Sequence, residues 1–227
     1  SRGLGDVYKR QVPTFIVGGY TSVGECETCK TPNAIRRAFA GLDPNPIRAN
    51  DIRDKALELL KIQPTRTNEN ATAFDAILPV NGGCIRKAWV EGSAGSGKTF
   101  LCLHALKAVI EQTGATALFM PEATLLNAWR SQFQDENRDW GFNLYQRAKS
   151  VDVLLIDDFG QTRDPSLKAL DAIDAIIMAR YESMRPVMIT TNLKPQRLEA
   201  HRGPRIVSRL CELAGVPIVL AGSDWRR

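Results

Sequence analysis

Gly92-Ser93-Ala94-Gly95-Ser96-Gly97-Lys98-Thr99 is the stretch from which the fold can be read. It matches G-x-x-x-x-G-K-[ST] at every position. It also lies between a strand-like run, Lys87 to Glu91, and a segment from Phe100 to Ile110 with Leu103, Leu106 and Ile110 at helical spacing. Glycines there let the backbone turn so that successive N–H groups point at phosphate oxygens. Lys98 can reach the β and γ phosphates, and the Thr99 hydroxyl can ligate Mg²⁺. The following helix aims its positive dipole end at the same anion. An ordinary glycine-rich turn would not need this strand–helix context. Gly92, Ser93, Ala94, Gly95, Ser96, Gly97, Lys98 and Thr99 are therefore read as nucleotide-binding, with ATP and Mg²⁺ as the expected ligands.

Working downstream, apolar runs alternate with helical patterns. Ala117 to Met120 reads as a strand and Pro121 to Trp129 as a helix with proline at its start. Val151 to Ile156 is a strand, followed by a helix from Pro165 to Tyr181 that repeats Leu167, Leu170, Ile173 and Ile177. Val187 to Thr190 and Ile218 to Ala221 complete the set. Gly114 stands where a left-handed cap would end the first helix. The alternation predicts an α/β fold, a five-stranded parallel sheet flanked by helices, as in P-loop NTPases.

Two strand ends carry further chemistry. Val151 to Ile156 runs into Asp157 and Asp158, carboxylates at the edge where ligands bind in parallel sheets. Asp157 is expected to hold Mg²⁺, directly or through water, and Asp158 to orient or activate the attacking water. Asn192, after Val187 to Thr191, is placed to hydrogen-bond the γ-phosphate or that water.

Upstream, turn formers such as Gly18-Gly19, Asp43-Pro44-Asn45-Pro46 and Pro64 punctuate the chain, and Ile52 to Ile62 carries a short amphipathic helical pattern. Residues 1–11, SRGLGDVYKRQ, read like translated adapter sequence and are set aside from fold reasoning. The expected organisation is a small module over 12–64, a linker over 65–84 and the nucleotide-binding domain over 85–227. The 227 residues suffice for one such domain plus a small appendage. Hydrophobic residues are 44% and charged residues 24%, and no run approaches the roughly 18 apolar residues of a membrane span. Five cysteines without a disulfide framework, beside a P-loop, point to a reducing, cytoplasmic setting and no membrane. The net charge of +5 permits an anionic partner without establishing one.

The ordered set GSAGSGKT, LLIDDFG, ARYESMRP, ITTNL, IVSRL and a terminal GSDWR resembles the AAA+ helicase loaders of the DnaC type, with the IstB-type transposition ATPases as close relatives. The likeness covers about residues 85–227. It implies an ATPase, slow and dependent on oligomer and DNA, that delivers a replicative DnaB-type helicase to single-stranded DNA. The alternatives are a transposition helper and an ATP-dependent binding switch with little turnover. Asn192 matches the sensor 1 position. Arg209 matches the arginine finger that reaches a neighbour's γ-phosphate, implying self-association through Arg209, with Arg205 as the alternative finger. Arg226 resembles a sensor 2 arginine that contacts nucleotide. Asp158 stands where many AAA+ proteins have Glu, and its shorter reach implies slow turnover.

The segment from Pro121 to Ser150 falls where such loaders carry an element linked to single-stranded DNA. Trp129, Arg130, Phe133, Arg138, Trp140, Tyr145, Arg147 and Lys149 suit base stacking and phosphate contacts. Asp135, Glu136 and Asp139 dilute that character, and a plain helical connector reads equally well. Cys26 and Cys29 form one CxxC, half of a Zn²⁺ knuckle that needs four ligands, and loader N-terminal modules resemble it in sometimes carrying zinc. Cys84 could join them only if the fold brings it close. Two unrelated cysteines would look the same.

Overall fold

The structure is a computed structural model that describes residues 14–17, 20–23, 27–39, 54, 57–68, 70–79, 83–161 and 167–221. For 14–17, 20–23, 27–32 and 167–169 it describes the backbone alone. Strands β1 (Thr14–Val17) and β2 (Tyr20–Val23) pair antiparallel as a hairpin, and helix α1 (Glu27–Ala38) follows. The central sheet holds β3 (Ala88–Glu91), β4 (Ala117–Pro121), β5 (Val153–Asp157), β6 (Val187–Thr191) and β7 (Pro217–Val219). Their order is β4-β5-β6-β3-β7 and every pairing is parallel, the expected five-stranded sheet. All five residues of β5 and of β6 are buried. Both faces of the sheet are covered, which is why these strands are continuous apolar runs up to their polar last residues and not alternating ones.

The helices in the sheet domain are α2 (Ala71–Ile77), α3 (Lys98–Thr113), α4 (Glu122–Ser131), α5 (Arg138–Ser150), α6 (Leu167–Glu182), α7 (Pro195–Arg202) and α8 (Pro204–Ala214). Helix α3 buries Leu101 through Leu106, Val109 and Ile110, so it is apolar well beyond one stripe. It ends at Gly114, whose φ of 64° is the expected left-handed cap and whose N–H donates to the Ile110 carbonyl at 3.0 Å. Pro121 caps α4 from outside and does not start it, because its extended ψ of 142° is non-helical.

The stretch before the P-loop joins the same core. Ala38 and Phe39 are buried with Leu60, Ala73 and Ile77 in one cluster with the sheet, and the Phe39 and Phe119 rings lie 5.7 Å apart. Residues 65–84, read as a linker, thus contain α2, which buries Ala73 and Ile77. Asn70 shapes the loop before it, accepting from the Thr67 N–H at 2.7 Å and donating to the Thr65 carbonyl at 3.3 Å. Of the amphipathic pattern at Ile52 to Ile62, residues 57–59 are helical and Leu60 is buried; 51–53, 55 and 56 lie outside the described residues.

Residues 121–150 form a pair of packed helices, α4 and α5, joined by a 3-10 turn at Asp135–Asn137. Gly141 permits this, since a Cβ there would run into the Ala128 carbonyl oxygen and meet Ser131 Cβ at 2.9 Å. Beneath them Arg180, completely buried, donates to the carbonyls of Ala148, Val151, Asp152 and Pro186 at 3.0, 2.9, 3.1 and 2.7 Å. It ties the end of α5 to the entries of β5 and β6. Among the described residues no helix is long and apolar enough to cross a membrane.

Candidate nucleotide-binding site

The ends of β5, β6 and β3 lie side by side, and each runs into one of the expected motifs. From β3 the chain enters the P-loop, where the Gly92 N–H donates to the Thr191 carbonyl at 3.2 Å. A Cβ on Gly92 would sit 2.6 Å from the Leu220 carbonyl oxygen and 2.8 Å from Ser96 Oγ, so only glycine fits. Gly97 takes a φ of 88° at the start of α3. Lys98 is only 5% exposed, and its Nζ donates to the Ser93 carbonyl at 2.7 Å, which lays the side chain along the loop. The buried Ser96 Oγ has no hydrogen-bond partner among the described residues.

Asp157 meets the P-loop at its Oδ1, which accepts from Thr99 Oγ1 at 2.6 Å and from Thr190 Oγ1 at 2.5 Å. Burial pushes the Asp157 carboxyl above its ordinary range, against the opposing hydrogen bonds from Thr190 and Thr99; neighbouring Asp158 raises it and Lys98 lowers it. A hydroxyl and a buried carboxylate are hard oxygen donors that suit Mg²⁺, and a cation there would favour the ionised carboxylate.

Asp158 is exposed and takes a φ of 54°, the left-handed region that costs a non-glycine residue energy. Its N–H donates to Thr190 Oγ1 at 3.1 Å, the Phe159 N–H to the Thr190 carbonyl at 2.8 Å, and Thr191 Oγ1 to the Phe159 carbonyl at 2.7 Å. The carboxylate turn is thereby stitched to the end of β6. In the sequence Thr190 and Thr191 stand out only as hydroxyls closing an otherwise apolar strand within the ITTNL motif; that they hold Asp157 and the carboxylate turn follows from the fold. Asn192 is exposed immediately beyond them, on the same edge.

Beside the loop lies a cavity of about 230 Å³. Ile62, Pro64, Phe74, Phe100 and Leu220 supply apolar walls, with Ser96 and Gly97 at the P-loop side. Behind the carboxylate turn is a buried ionic cluster. Glu122 pairs with Arg202, and Glu122 Oε2 accepts from the Gly160 N–H at 3.1 Å. Arg202 Nη1 stands 3.5 Å from Asp174 Oδ1. Burial pushes the Asp174 carboxyl up to about 6, against the opposing pull of Arg202. Such a group binds its proton more tightly folded than unfolded, so its contribution to stability is present in acid and lost as pH rises towards 6. Asp174→Asn is therefore expected to gain stability over wild type between about pH 5 and about pH 8, by about 1 kcal/mol, in paired denaturant titrations.

Arg209 is not brought to this chain's own site. Its guanidinium lies 4.0 Å over the Tyr181 ring, and Nη1 donates to Tyr181 Oη at 2.8 Å and to Glu212 Oε1 at 2.9 Å. Arg205 is exposed on α8. Arg226 and Cys26 lie outside the described residues, as does the side chain of Cys29, whose backbone lies in the first turn of α1. Cys84 is half-buried and free, and among the described residues no three His, Cys, Asp or Glu side chains form a metal cluster.

No family model matches the chain. The uncharacterized protein YdaV of Escherichia coli (strain K12) is 26% identical over 144 residues, 63% of this chain and 56% of that protein, so the chain spans little over half the length of this curated relative. Among solved structures, DnaI superposes with a TM-score of 0.52 at 20% identity, over 86% of this chain and 93% of that one. The DnaC helicase loader gives 0.52 at 20% identity, over 83% and 99%. AMPPCP-bound DnaA from Aquifex aeolicus gives 0.55 at 22% identity, over 71% and 49%. The chain thus shares with these solved structures its α/β fold, a five-stranded parallel sheet flanked by helices, as the alternation of strands and helices in the sequence implied.

Proposed function

We propose that the chain is an ATP-binding and ATP-hydrolysing replication protein of the helicase-loader type. The observation that carries this reading is the Thr99–Asp157–Thr190 hydrogen-bonded set, which joins the P-loop, β5 and β6 at one sheet edge. The P-loop amides and Lys98 hold the phosphates, and Thr99 and Asp157 hold Mg²⁺. When bound, that ion neutralises charge on the phosphate oxygens. The apolar cavity against Phe100 and Leu220 takes the base. Asp158 and Asn192, on adjacent strand ends, position the attacking water. The orphaned Ser96 hydroxyl and the glycine-only cradle at Gly92 support a phosphate-sized guest.

The client we assign is a replicative DnaB-type helicase, supported by the shared fold with DnaI and the DnaC helicase loader. Single-stranded DNA is assigned to the α4–α5 pair. There Phe133 is 75% exposed and packs edge-on to Trp129 at 5.5 Å, Phe142 is exposed, and Arg130 and Arg138 flank them. Arg209 serves a neighbouring subunit once it leaves Tyr181, and Cys26 and Cys29 contribute half a zinc site.

Asp158→Asn tests the core of the proposal. Hydrolysis is expected to fall about 100-fold or more while the ATP dissociation constant stays within about threefold, because Asp158 acts on water and not on the phosphates. Equal turnover in the variant would overturn the assignment. Recovery of a transposase in place of a helicase from host lysate would replace the client.

A further inference from the structure

We infer that Glu122 and Arg202 are a positioning pair that holds the turn bearing Asp158 and so sets the rate of hydrolysis without touching nucleotide. The inference rests on the ATPase reading above. Glu122 opens α4 directly after β4, and Arg202 closes α7, which begins three residues after Asn192. Both side chains are 1% exposed. A buried ion pair is a weak source of stability, since a well-packed apolar pair of similar volume is often as good or better. What this pair does that an apolar pair could not is hold the backbone of the carboxylate turn. Glu122 Oε2 receives the Gly160 N–H, two residues after Asp158, while Arg202 lies 5.1 Å over the ring of the intervening Phe159.

The turn needs such restraint. Asp158 sits at a φ of 54°, and a left-handed non-glycine residue persists only where its surroundings over-determine it. Thr190 holds the turn at the Asp158 N–H and Glu122 holds it at the Gly160 N–H. From the other side it is walled by α7 and the loop that leads into it: a Cβ on Gly160, whose φ is 79°, would meet Leu198 Cδ1 of α7 at 2.7 Å and Leu193 Cδ1 of the loop at 3.0 Å. The charges facing Arg202 come from α4 (Glu122) and α6 (Asp174), so α4, α6 and α7 all bear on one turn. Because Glu122 is the first residue of α4 and Trp129 and Arg130 are near its last, a shift of α4 is transmitted to Asp158 through this carboxylate.

The test compares wild type, Glu122→Gln, Glu122→Asp and the charge-reversed double variant Glu122→Arg/Arg202→Glu, all as the full chain. ATP binding and turnover of the wild type are measured first; if both are absent, the ATPase reading fails. Amide hydrogen exchange at Gly160 judges the pair independently, and it is expected to quicken at least about tenfold in Glu122→Gln. Where wild type turns over ATP, Glu122→Gln and Glu122→Asp are expected to lose about tenfold or more in kcat with the ATP dissociation constant within about threefold. The reversed pair is expected to recover thermal stability but not kcat, because an arginine cannot accept the Gly160 N–H. Recovery of kcat by the reversed pair, unchanged exchange at Gly160, or parallel loss of ATP binding would each overturn the inference. Glu122→Asp keeps the charge, so it stands in if Glu122→Gln does not fold.

Discussion

Lys98→Ala is expected to weaken ATP binding by about 100-fold or more. Lys98 Nζ is buried within the P-loop, where a charge-assisted hydrogen bond to phosphate is little screened by water, and losing about 3 kcal/mol there corresponds to that factor. The fold should survive. Alanine is the better helix former at the first position of α3, and the variant no longer buries an ammonium group. Titration with a fluorescent ATP analogue, alongside circular dichroism and thermal melting, checks both halves. A folded variant that still binds ATP within a few-fold of wild type would remove Lys98 from the site.

Arg180→Met is expected to cause the largest loss of stability, about 3–5 kcal/mol. Methionine fills much of the same volume, so packing changes little. The four carbonyls of Ala148, Val151, Asp152 and Pro186, however, are left in the interior without their donor. Burial lowers the guanidinium to about 10, still well above neutrality, so the group is charged where it works. In a chain of this length the melting temperature should fall by roughly 10 °C. Denaturant titration and thermal melting read the effect, and a loss below about 1 kcal/mol would mean that these carbonyls find water.

The P-loop and Asp157 were legible in the sequence because their chemistry is local: a glycine-rich octet on one turn, and a carboxylate ending one apolar strand. The five strands were legible for the same reason, since each is built on a short run of apolar residues. Groups that act through distant partners were not. Thr190 reaches Asp157 across 33 residues and Glu122 reaches Arg202 across 80, so neither pairing leaves a local pattern. Nothing in the residues around Arg202 marks it for this pairing. Arg180 looked like part of a motif, and only the fold shows what it holds. Helix α2 was hidden by the polar run from Thr65 to Asn70 and by its length of seven residues, too short for a clear period. Ile62, Pro64 and Phe74 gave no hint of the cavity, because only packing onto α3 brings them against the P-loop. Arg209 was read from its motif, and the motif does not reveal that Tyr181 and Glu212 engage it within the same chain.

The most direct measurement is calorimetric titration of the full chain with ATP, in Mg²⁺ and again after chelation. One ATP per chain is expected, bound at least about tenfold more tightly with Mg²⁺, because Asp157 otherwise presents negative charge to the phosphates. No binding, or binding that ignores Mg²⁺, would contradict the assignment of Lys98, Thr99 and Asp157 as one nucleotide–metal site.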